Sequence, residues 1–259
     1  MNPTDLAERL DAAARDARPL PSGTTGLTEA GPEGGTAAAY AVQEALVALR
    51  LARGERPTGV KLGFTSLAKM RQMGVADLIH GRLTDRMAVP DGGRLDISGL
   101  IHPRVEPEIA FLLGAELTPG GDPAAAVAGV APALEVIDSR YDGFRFSLPE
   151  VIADNTSAAA YATGPWTRPE ALGGPRALAN LGVVLELDGR PAETGSTAAI
   201  LGDPLLALAA AARLAGPLPA GTVILAGAAT AAVPLPPGTH VRATVARLGA
   251  VRLTTGEAP

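Results

Sequence analysis

Residues 105–111 have the sequence VEPEIAF, in which apolar and charged side chains alternate. This alternation predicts a half-buried β-strand, because successive side chains of a strand point to opposite faces of its sheet. Glu106 and Glu108 then share one face, opposite to Val105 and Phe111. Two carboxylates this close repel and raise each other's pKa unless a cation lies between them.

A third carboxylate occurs in a second apolar run. Residues 132–138, PALEVID, predict another strand, and Glu135 lies in its middle. A charged side chain in such a run is rarely buried without a partner. Glu106, Glu108 and Glu135 are therefore candidate ligands of a hard divalent cation. The alternative interpretation is that the glutamates form the solvated face of an antiparallel sheet.

The composition is typical of one enzyme-sized globular domain. The chain has 259 residues, enough for a large core, and its 31 glycines and 23 prolines favour many turns. A net charge of -5 gives no basic surface for nucleic acid. We find no leader segment and no apolar run long enough to cross a bilayer, so we expect no membrane contact and a cytoplasmic location. The absence of cysteine excludes disulfides, thiolate catalysis and cysteine-bound zinc.

The remaining pattern predicts an α+β fold. Helices are expected at residues 4–16, from an N-cap at Thr36 to a stop at Gly54, at residues 66–74, and from an N-cap at Asp203 to Leu214. Short apolar runs predict strands at residues 59–63, 105–113, 132–138, 158–163, 182–187, 221–226 and 239–247. These runs do not alternate regularly with helices, which favours a mixed or antiparallel sheet. We expect residues 1–58 to form an N-terminal helical region and residues 59–259 a β-rich core.

Lys61 is the charged residue of another apolar run, GVKLGFTS at residues 59–66. A partly desolvated ammonium needs an anion nearby, which makes Lys61 a candidate for the same site. The alternative is a lysine at a sheet edge whose ammonium reaches solvent.

Three further segments contain residues that could contact a ligand, but each is also explained by ordinary local structure. Asp85 lies between Arg82 and Arg86, which is typical of surface ion pairs. Residues 152–160, IADNTSAAA, have the short side chains of a turn or cap, although the same groups can orient a ligand carboxylate. Residues 226–230, AGAAT, are small enough for a ligand to approach the backbone.

Four motifs occur in the same order in a known enzyme family: residues 59–66, GVKLGFTS; 104–110, RVEPEIA; 132–140, PALEVIDSR; and 152–157, IADNTS. Over residues 36–255 the chain resembles the 2-oxopent-4-enoate hydratase and 4-oxalocrotonate decarboxylase family, in the fumarylacetoacetase-like superfamily. The resemblance implies a mixed β-sandwich rolled on itself, with Mg²⁺ or Mn²⁺ held by Glu106, Glu108 and Glu135. It also implies Lys61 as the catalytic residue. The substrate-binding residues expected are Thr65, Asp85, Asp154, Asn155, Ser157 and Thr230.

Within this family, residues 69–75, 83–87 and 139–146 are closer to the decarboxylase branch. The resemblance therefore implies metal-dependent decarboxylation of a 2-oxo-enedioate such as 2-oxohex-3-enedioate, by a homo-oligomer or a complex with a related hydratase. Hydratase activity is the main alternative. Residues 195–199, GSTAA, and 228–230, AAT, depart from the family pattern, so a related 2-oxo acid in a specialised biosynthetic pathway is another. Two non-enzyme alternatives are a silent assembly subunit and a metal-independent binding protein.

Overall fold

The N-terminal part of the chain is helical. The structure, a computed structural model, describes residues 2–23, 26–27, 34–66 and 78–256. Helix α1, Pro3–Arg15, begins after Asn2, whose side chain accepts the N–H of Thr4. Helix α2, Gly34–Ala52, packs against α1 in a cluster that contains Leu6, Leu10, Val42 and Leu46.

Both N-terminal helices were predicted, with one error at a boundary. Helix α2 begins at Gly34, so Thr36 lies in its first turn and the predicted N-cap is wrong. Glycine has a low helix propensity, so the sequence favoured a helix that begins after Gly34 and Gly35. This preference is weak, and the packing of α2 against α1 outweighs it. The predicted stop is confirmed, because α2 ends at Ala52 and Gly54 has a φ of +92°. The helix predicted at residues 66–74 lies outside the described residues apart from Ser66.

Beside six short 3-10 helices, thirteen strands and three further α-helices follow within the described residues. They are β1 Pro57–Gly63, β2 Ile79–Thr84, β3 Ala88–Val89, β4 Gly93–Leu95, β5 Arg104–Leu113, α3 Pro123–Ala126, β6 Val127–Ile137, α4 Leu148–Ala153, β7 Ala158–Thr163, β8 Gly182–Leu187, β9 Arg190–Ser196, α5 Pro204–Ala215, β10 Val223–Ala228, β11 Val233–Pro234, β12 His240–Val245 and β13 Gly249–Thr255. All seven predicted strands are present, and so is the predicted helix with Asp203 as N-cap.

The strands form two sheets of mixed direction. The larger has the order β2-β1-β10-β5-β6-β7-β3, with β11 added beside β5, and its β1–β10 and β3–β7 pairs are parallel. The smaller has the order β4-β13-β12-β8-β9, with a parallel β13–β4 pair. These sheets and the N-terminal helices confirm the predicted α+β class.

One face of the large sheet carries most of the core. Val105 and Leu134 pack against Val241 and Val251 of the small sheet. Beside them on the same face, Phe111 belongs to a second cluster that includes the buried face of α5. The small sheet and α5 together cover this face, so the site forms on the opposite face of the large sheet.

Within the described chain one segment, Thr197–Ala215, has the length and hydropathy of a membrane-crossing helix. Its α-helical part is only the 12 residues of α5, whereas a bilayer requires about 20. Pro204 begins that helix, after Leu201 and Gly202 at positive φ. The buried side of α5, which includes Leu208 and Ala211, belongs to the core. We therefore attribute the apolar character of this segment to the side of α5 that packs on the core and not to a bilayer.

The uncovered face of the large sheet curls inward. Tyr161 of β7 reaches across to Thr58 of β1, and their hydroxyl oxygens are 3.1 Å apart. These strands are separated in the sheet by β10, β5 and β6, so the contact requires the sheet to roll. Apolar side chains, including Ala110, Ala133 and Leu225, fill part of the roll. The rolled sheet implied by the family resemblance is therefore confirmed.

Candidate metal centre and substrate pocket

Strand register brings the three predicted glutamates together inside the roll. Glu106 of β5 lies directly opposite Glu135 of β6, and Glu108 follows two residues later on the same face. One carboxylate oxygen of each lies within 4.8 Å of the other two. The exposed fractions of Glu106, Glu108 and Glu135 are 7%, 0% and 1%, which excludes a solvated face.

The electrostatics of this cluster fit a divalent cation. Burial and the neighbouring charges of Glu135 and Glu106 raise the pKa of Glu108 well above its usual range. Burial also raises the pKa of Glu135, to about 7, despite the adjacent Lys61. Glu108 Oε1 and Glu135 Oε2 accept no hydrogen bond from the described residues, which is costly for buried oxygens. Three converging carboxylates are the hard ligands that Mg²⁺ and Mn²⁺ prefer.

The backbone of β10 supports one of these carboxylates. Gly227 donates its N–H to Glu108 Oε2 at 2.8 Å. Gly227 has a φ of +109°, and a Cβ there would lie 2.0 Å from the Thr65 hydroxyl oxygen. Only glycine combines this conformation with so close a neighbour.

Lys61 of β1 is buried beside the glutamates, with an exposed fraction of 3%. Its Nζ lies 3.0 Å from Glu135 Oε1 and donates to the carbonyl of Thr156 at 3.1 Å. Burial lowers the pKa of Lys61, but the charges of the three glutamates outweigh this effect and the pKa is raised. The lysine therefore stays protonated, and the alternative of an ammonium reaching solvent is excluded.

A pocket of 120 Å³ opens onto Lys61 and Glu106. Its polar wall includes Thr65 and Ser157, and the Oγ of Ser157 has no hydrogen-bond partner in the described chain. The apolar part of the wall is formed by Leu62, Phe64, Ile79, Ile137, Phe144, Phe146, Val151 and Ala228. The pocket thus places a cation, a carboxylate and a free hydroxyl beside an apolar wall.

Residues Asn155, Thr156 and Ser157 form an unusual turn at the pocket wall. Their φ angles are +50°, +53° and +58°, all in the left-handed region. The side chain of Asn155 bonds to both the N–H and the carbonyl of Arg82, at 2.7 and 2.9 Å. The Thr156 hydroxyl donates to the carbonyl of His80 at 2.8 Å.

Asp154 has a structural partner. Its carboxylate forms a buried ion pair with Arg140 and accepts the Arg140 N–H at 3.0 Å. Burial raises the pKa of Asp154 to about 6 despite this guanidinium. The pair joins the end of α4 to the chain that follows β6.

Two more predicted substrate-binding residues also bond to the backbone. Asp85 is exposed and accepts the N–H of Arg56 at 2.9 Å, where the sequence favoured a surface ion pair. The Thr230 hydroxyl donates to the carbonyl of Ala231 at 3.0 Å. Neither Asp85 nor Thr230, nor Asp154 or Asn155, lines the described pocket. Substrate contact by these four residues remains a prediction.

Some residues of the site were not predicted. Thr156 contributes through its carbonyl, and any residue type supplies that group. Phe144 and Phe146 reach the pocket from the chain between β6 and α4, a segment used only to compare the family branches and not predicted to line the site. Gly227 was noticed only as part of a small-residue turn.

Comparison with known proteins gives the family. Residues 79–255 match the family described as fumarylacetoacetate (FAA) hydrolase, C-terminal. A 4-oxalocrotonate decarboxylase from Pseudomonas sp is 50% identical over 97% of this chain and 98% of its own length. A 2-keto-4-pentenoate hydratase from Paraburkholderia phymatum is 35% identical over 99% of this chain and 100% of its own.

A solved structure is similar over nearly the whole chain. It is the 4-oxalocrotonate decarboxylase from Pseudomonas putida G7, complexed with magnesium and adipate, with a TM-score of 0.89 and 41% identity. The match covers 98% of this chain and 97% of that one. The resemblance inferred from four motifs is thereby confirmed, and the chain belongs to the fumarylacetoacetate (FAA) hydrolase C-terminal family, among relatives named decarboxylases and hydratases.

Proposed function

We propose that the chain decarboxylates 2-oxohex-3-enedioate (4-oxalocrotonate) to 2-hydroxypenta-2,4-dienoate and CO₂, with Mg²⁺ or Mn²⁺ as cofactor. The observation that carries this proposal is the buried cluster of Glu106, Glu108 and Glu135 with Lys61 against it. The decarboxylase with 50% identity supports the choice of reaction. The magnesium and adipate of the similar structure support a divalent cation with a six-carbon dicarboxylate, the class to which the proposed substrate belongs.

The residues have separate tasks in this reaction. Glu106, Glu108 and Glu135 would hold the cation, which when bound supplies Lewis-acid stabilisation of charge on the 2-oxo oxygen. As CO₂ leaves from C6, the electrons of the C5–C6 bond move through the conjugated chain to that oxygen. Lys61 has three N–H donors, of which two face Glu135 and Thr156. The third is free to stabilise the oxygen electrostatically or to donate the proton that completes the enol.

The apolar wall of the pocket favours loss of the distal carboxylate. Phe144, Phe146 and Val151 offer no side-chain hydrogen-bond donor to an anion. A carboxylate against this wall loses hydration without gaining a partner, whereas neutral CO₂ does not need one. We propose that the distal carboxylate faces this wall and that the Ser157 hydroxyl binds a substrate oxygen on the polar side.

Hydratase activity is the second candidate, and the relative with 35% identity favours it. A hydratase requires the same cation and enol chemistry but must also place a water for addition to the end of the dienoate. A related 2-oxo acid substrate remains a further alternative because of the departures at residues 195–199 and 228–230. The intact Lys61 and glutamate cluster argue against a silent assembly subunit and against a metal-independent binding protein.

We also propose a cytoplasmic homo-oligomer, or a complex with a related hydratase. Trp166 and Leu206 have exposed fractions of 39% and 53% and are candidate contact residues. Residues 1–58 would act as an N-terminal helical region beside a catalytic core at 59–259. In support of this division, β1 begins at Pro57 and follows α1 and α2.

The deciding experiment is incubation of the protein and Mg²⁺ with 2-oxohex-3-enedioate, followed by CO₂ release and product mass. One CO₂ per substrate and formation of 2-hydroxypenta-2,4-dienoate are expected. Hydration of the dienoate to 4-hydroxy-2-oxopentanoate, with the diacid left intact, would assign the hydratase activity instead. Inactivity on both would direct the search to other 2-oxo-enoic acids, and full activity after exhaustive chelation would exclude the metal.

A further inference from the structure

The turn at residues 155–157 has an unusual backbone conformation for its sequence. Asn155, Thr156 and Ser157 all have positive φ, and none of them is glycine. Asparagine tolerates this region, but a β-branched threonine rarely enters it. A strained conformation persists only when surrounding contacts hold it, and such segments are concentrated at functional sites.

The contacts that hold the turn come from the edge strand β2. The Asn155 amide pairs with both backbone groups of Arg82, as a neighbouring strand would. The Thr156 hydroxyl bonds to the His80 carbonyl. Gly81 lies between these two anchors, and a Cβ on it would be 2.5 Å from the carbonyl oxygen of Asn155. The turn therefore sits directly on the backbone of β2.

The turn presents two groups to the site. Its Thr156 carbonyl accepts a hydrogen bond from Lys61, which lies opposite Gly81 in the sheet. Its Ser157 hydroxyl lines the pocket with no partner in the described part of the chain. Glu135 and the Thr156 carbonyl both face the ammonium and so restrict the direction of its remaining N–H.

We infer that Asn155 is a positioning residue, whose side chain locks the left-handed turn onto β2 and thereby orients Lys61 and Ser157 toward the substrate. This inference rests on the proposed function and differs from the predicted substrate contact by Asn155. The amide oxygen and the amide nitrogen of Asn155 both bond to the backbone of Arg82, so the side chain affects the site by holding the turn in place. A displacement of about 1 Å at a reacting group can cost roughly 10²-fold in rate.

The first test is Asn155→Gly, because glycine accepts positive φ and only the two amide bonds are lost. We expect kcat to fall roughly 10-fold or more and KM to rise as the Ser157 hydroxyl leaves the substrate, with Mg²⁺ affinity within about 2-fold of wild type. In a Lys61→Met background the same substitution should lower kcat by a smaller factor than in wild type, because part of its effect acts through Lys61. Independent, multiplicative losses of kcat would overturn the inference, as would a wild-type kcat in Asn155→Gly.

A second perturbation moves the turn from the opposite side. Gly81→Ala places a methyl group against the Asn155 carbonyl and should reproduce the loss of kcat, even if Asn155→Gly folds poorly. Gly182→Ala in β8 is the matched control, because its Cβ would meet no atom within 4 Å. Normal kcat in Gly81→Ala would contradict the inference.

Crystal structures of the variants separate this inference from the proposed function. In Asn155→Gly or Gly81→Ala the Thr156 carbonyl should leave the Lys61 ammonium, from which it is 3.1 Å away in the intact protein. This measurement requires no turnover, so it decides the inference even if the wild-type protein fails to decarboxylate the diacid. An unchanged distance in both variants would refute it.

Discussion

Lys61 Nζ lies 3.0 Å from Glu135 Oε1 inside the roll, and both side chains are almost fully buried. Buried ions are stable only with compensating charge, and breaking such a pair leaves an uncompensated charge behind. Glu106, Glu108 and Glu135 carry three negative charges when ionised, and Lys61 offsets one of them. A divalent cation would offset the other two. Counted over these described residues alone, the charges of the three glutamates and Lys61 balance when a divalent cation is added.

Replacing a ligand glutamate should weaken metal binding. We expect Glu106→Gln, Glu108→Gln and Glu135→Gln each to lower Mg²⁺ or Mn²⁺ affinity by roughly 10²-fold or more, because even indirect supports of a metal site are worth 10–100-fold. Isothermal titration calorimetry measures this directly. Glu170→Gln, at an exposed position, is the control. Unaltered affinity in all three variants would remove the metal site from the proposal.

Lys61→Met tests the role of the ammonium. Methionine fills much of the same buried volume without charge, so the fold and metal binding should survive. We expect kcat to fall by roughly 10²-fold, the scale of one acid or electrostatic group. Turnover kinetics at saturating Mg²⁺, with metal affinity measured in parallel, check the result. Near-normal turnover would leave Lys61 with a structural role only.

The sequence was sufficient to predict which side chains form the carboxylate cluster proposed to bind metal. Alternation along residues 105–111 fixes which side chains share a face, and the Glu106–Glu135 register adds the third carboxylate to that face. The first fact depends on local periodicity and Glu135 was marked by its charge inside an apolar strand, an unusual and therefore informative placement, whereas the register itself comes from the structure. The same argument identified Lys61.

Contacts between distant segments were not accessible in this way. Asn155 and Arg82 are far apart in the chain, and nothing in the short polar run at residues 154–157 distinguishes a side chain that faces ligand from one that bonds to β2. Asp154 is similar, because its partner Arg140 is defined only by the folded chain. The curl of the sheet, seen in the Tyr161–Thr58 contact, is likewise a property of the whole sheet.

The stability of the protein should depend on pH through His80. Burial and the nearby charge of Arg82 lower the pKa of His80 from 6.5 to about 4. The unfolded chain then binds a proton more readily than the folded one, so stability is fully present above pH 6.5 and falls as pH decreases toward 4. The loss should be at most about 3 kcal/mol. Urea unfolding at several pH values measures it.

His80→Phe isolates this contribution. The ring of His80 stacks on Tyr40 at 4.6 Å between centroids, an arrangement that phenylalanine can retain. The variant should lose less stability than wild type between pH 6.5 and 4, although carboxylates still titrate in both. Parallel stability curves for wild type and His80→Phe would rule out the effect.

Gly227→Ala should lower both stability and metal affinity, because position 227 has no room for a side chain and its N–H supports a proposed metal ligand. Its φ is +109°, and an added Cβ would lie 2.0 Å from the Thr65 hydroxyl oxygen while its N–H supports Glu108. Gly249→Ala separates these effects, since Gly249 has a φ of +97° with no atom within 4 Å of an added Cβ. We expect Gly249→Ala to cost about 1 kcal/mol of unfolding free energy from backbone strain alone.

Gly227→Ala should cost about 1–3 kcal/mol more and lower Mg²⁺ affinity, because the overpacked methyl group displaces the N–H from Glu108. Denaturant unfolding and calorimetry on both variants provide the comparison, and equal losses with unchanged metal affinity would show that β10 does not support the metal centre.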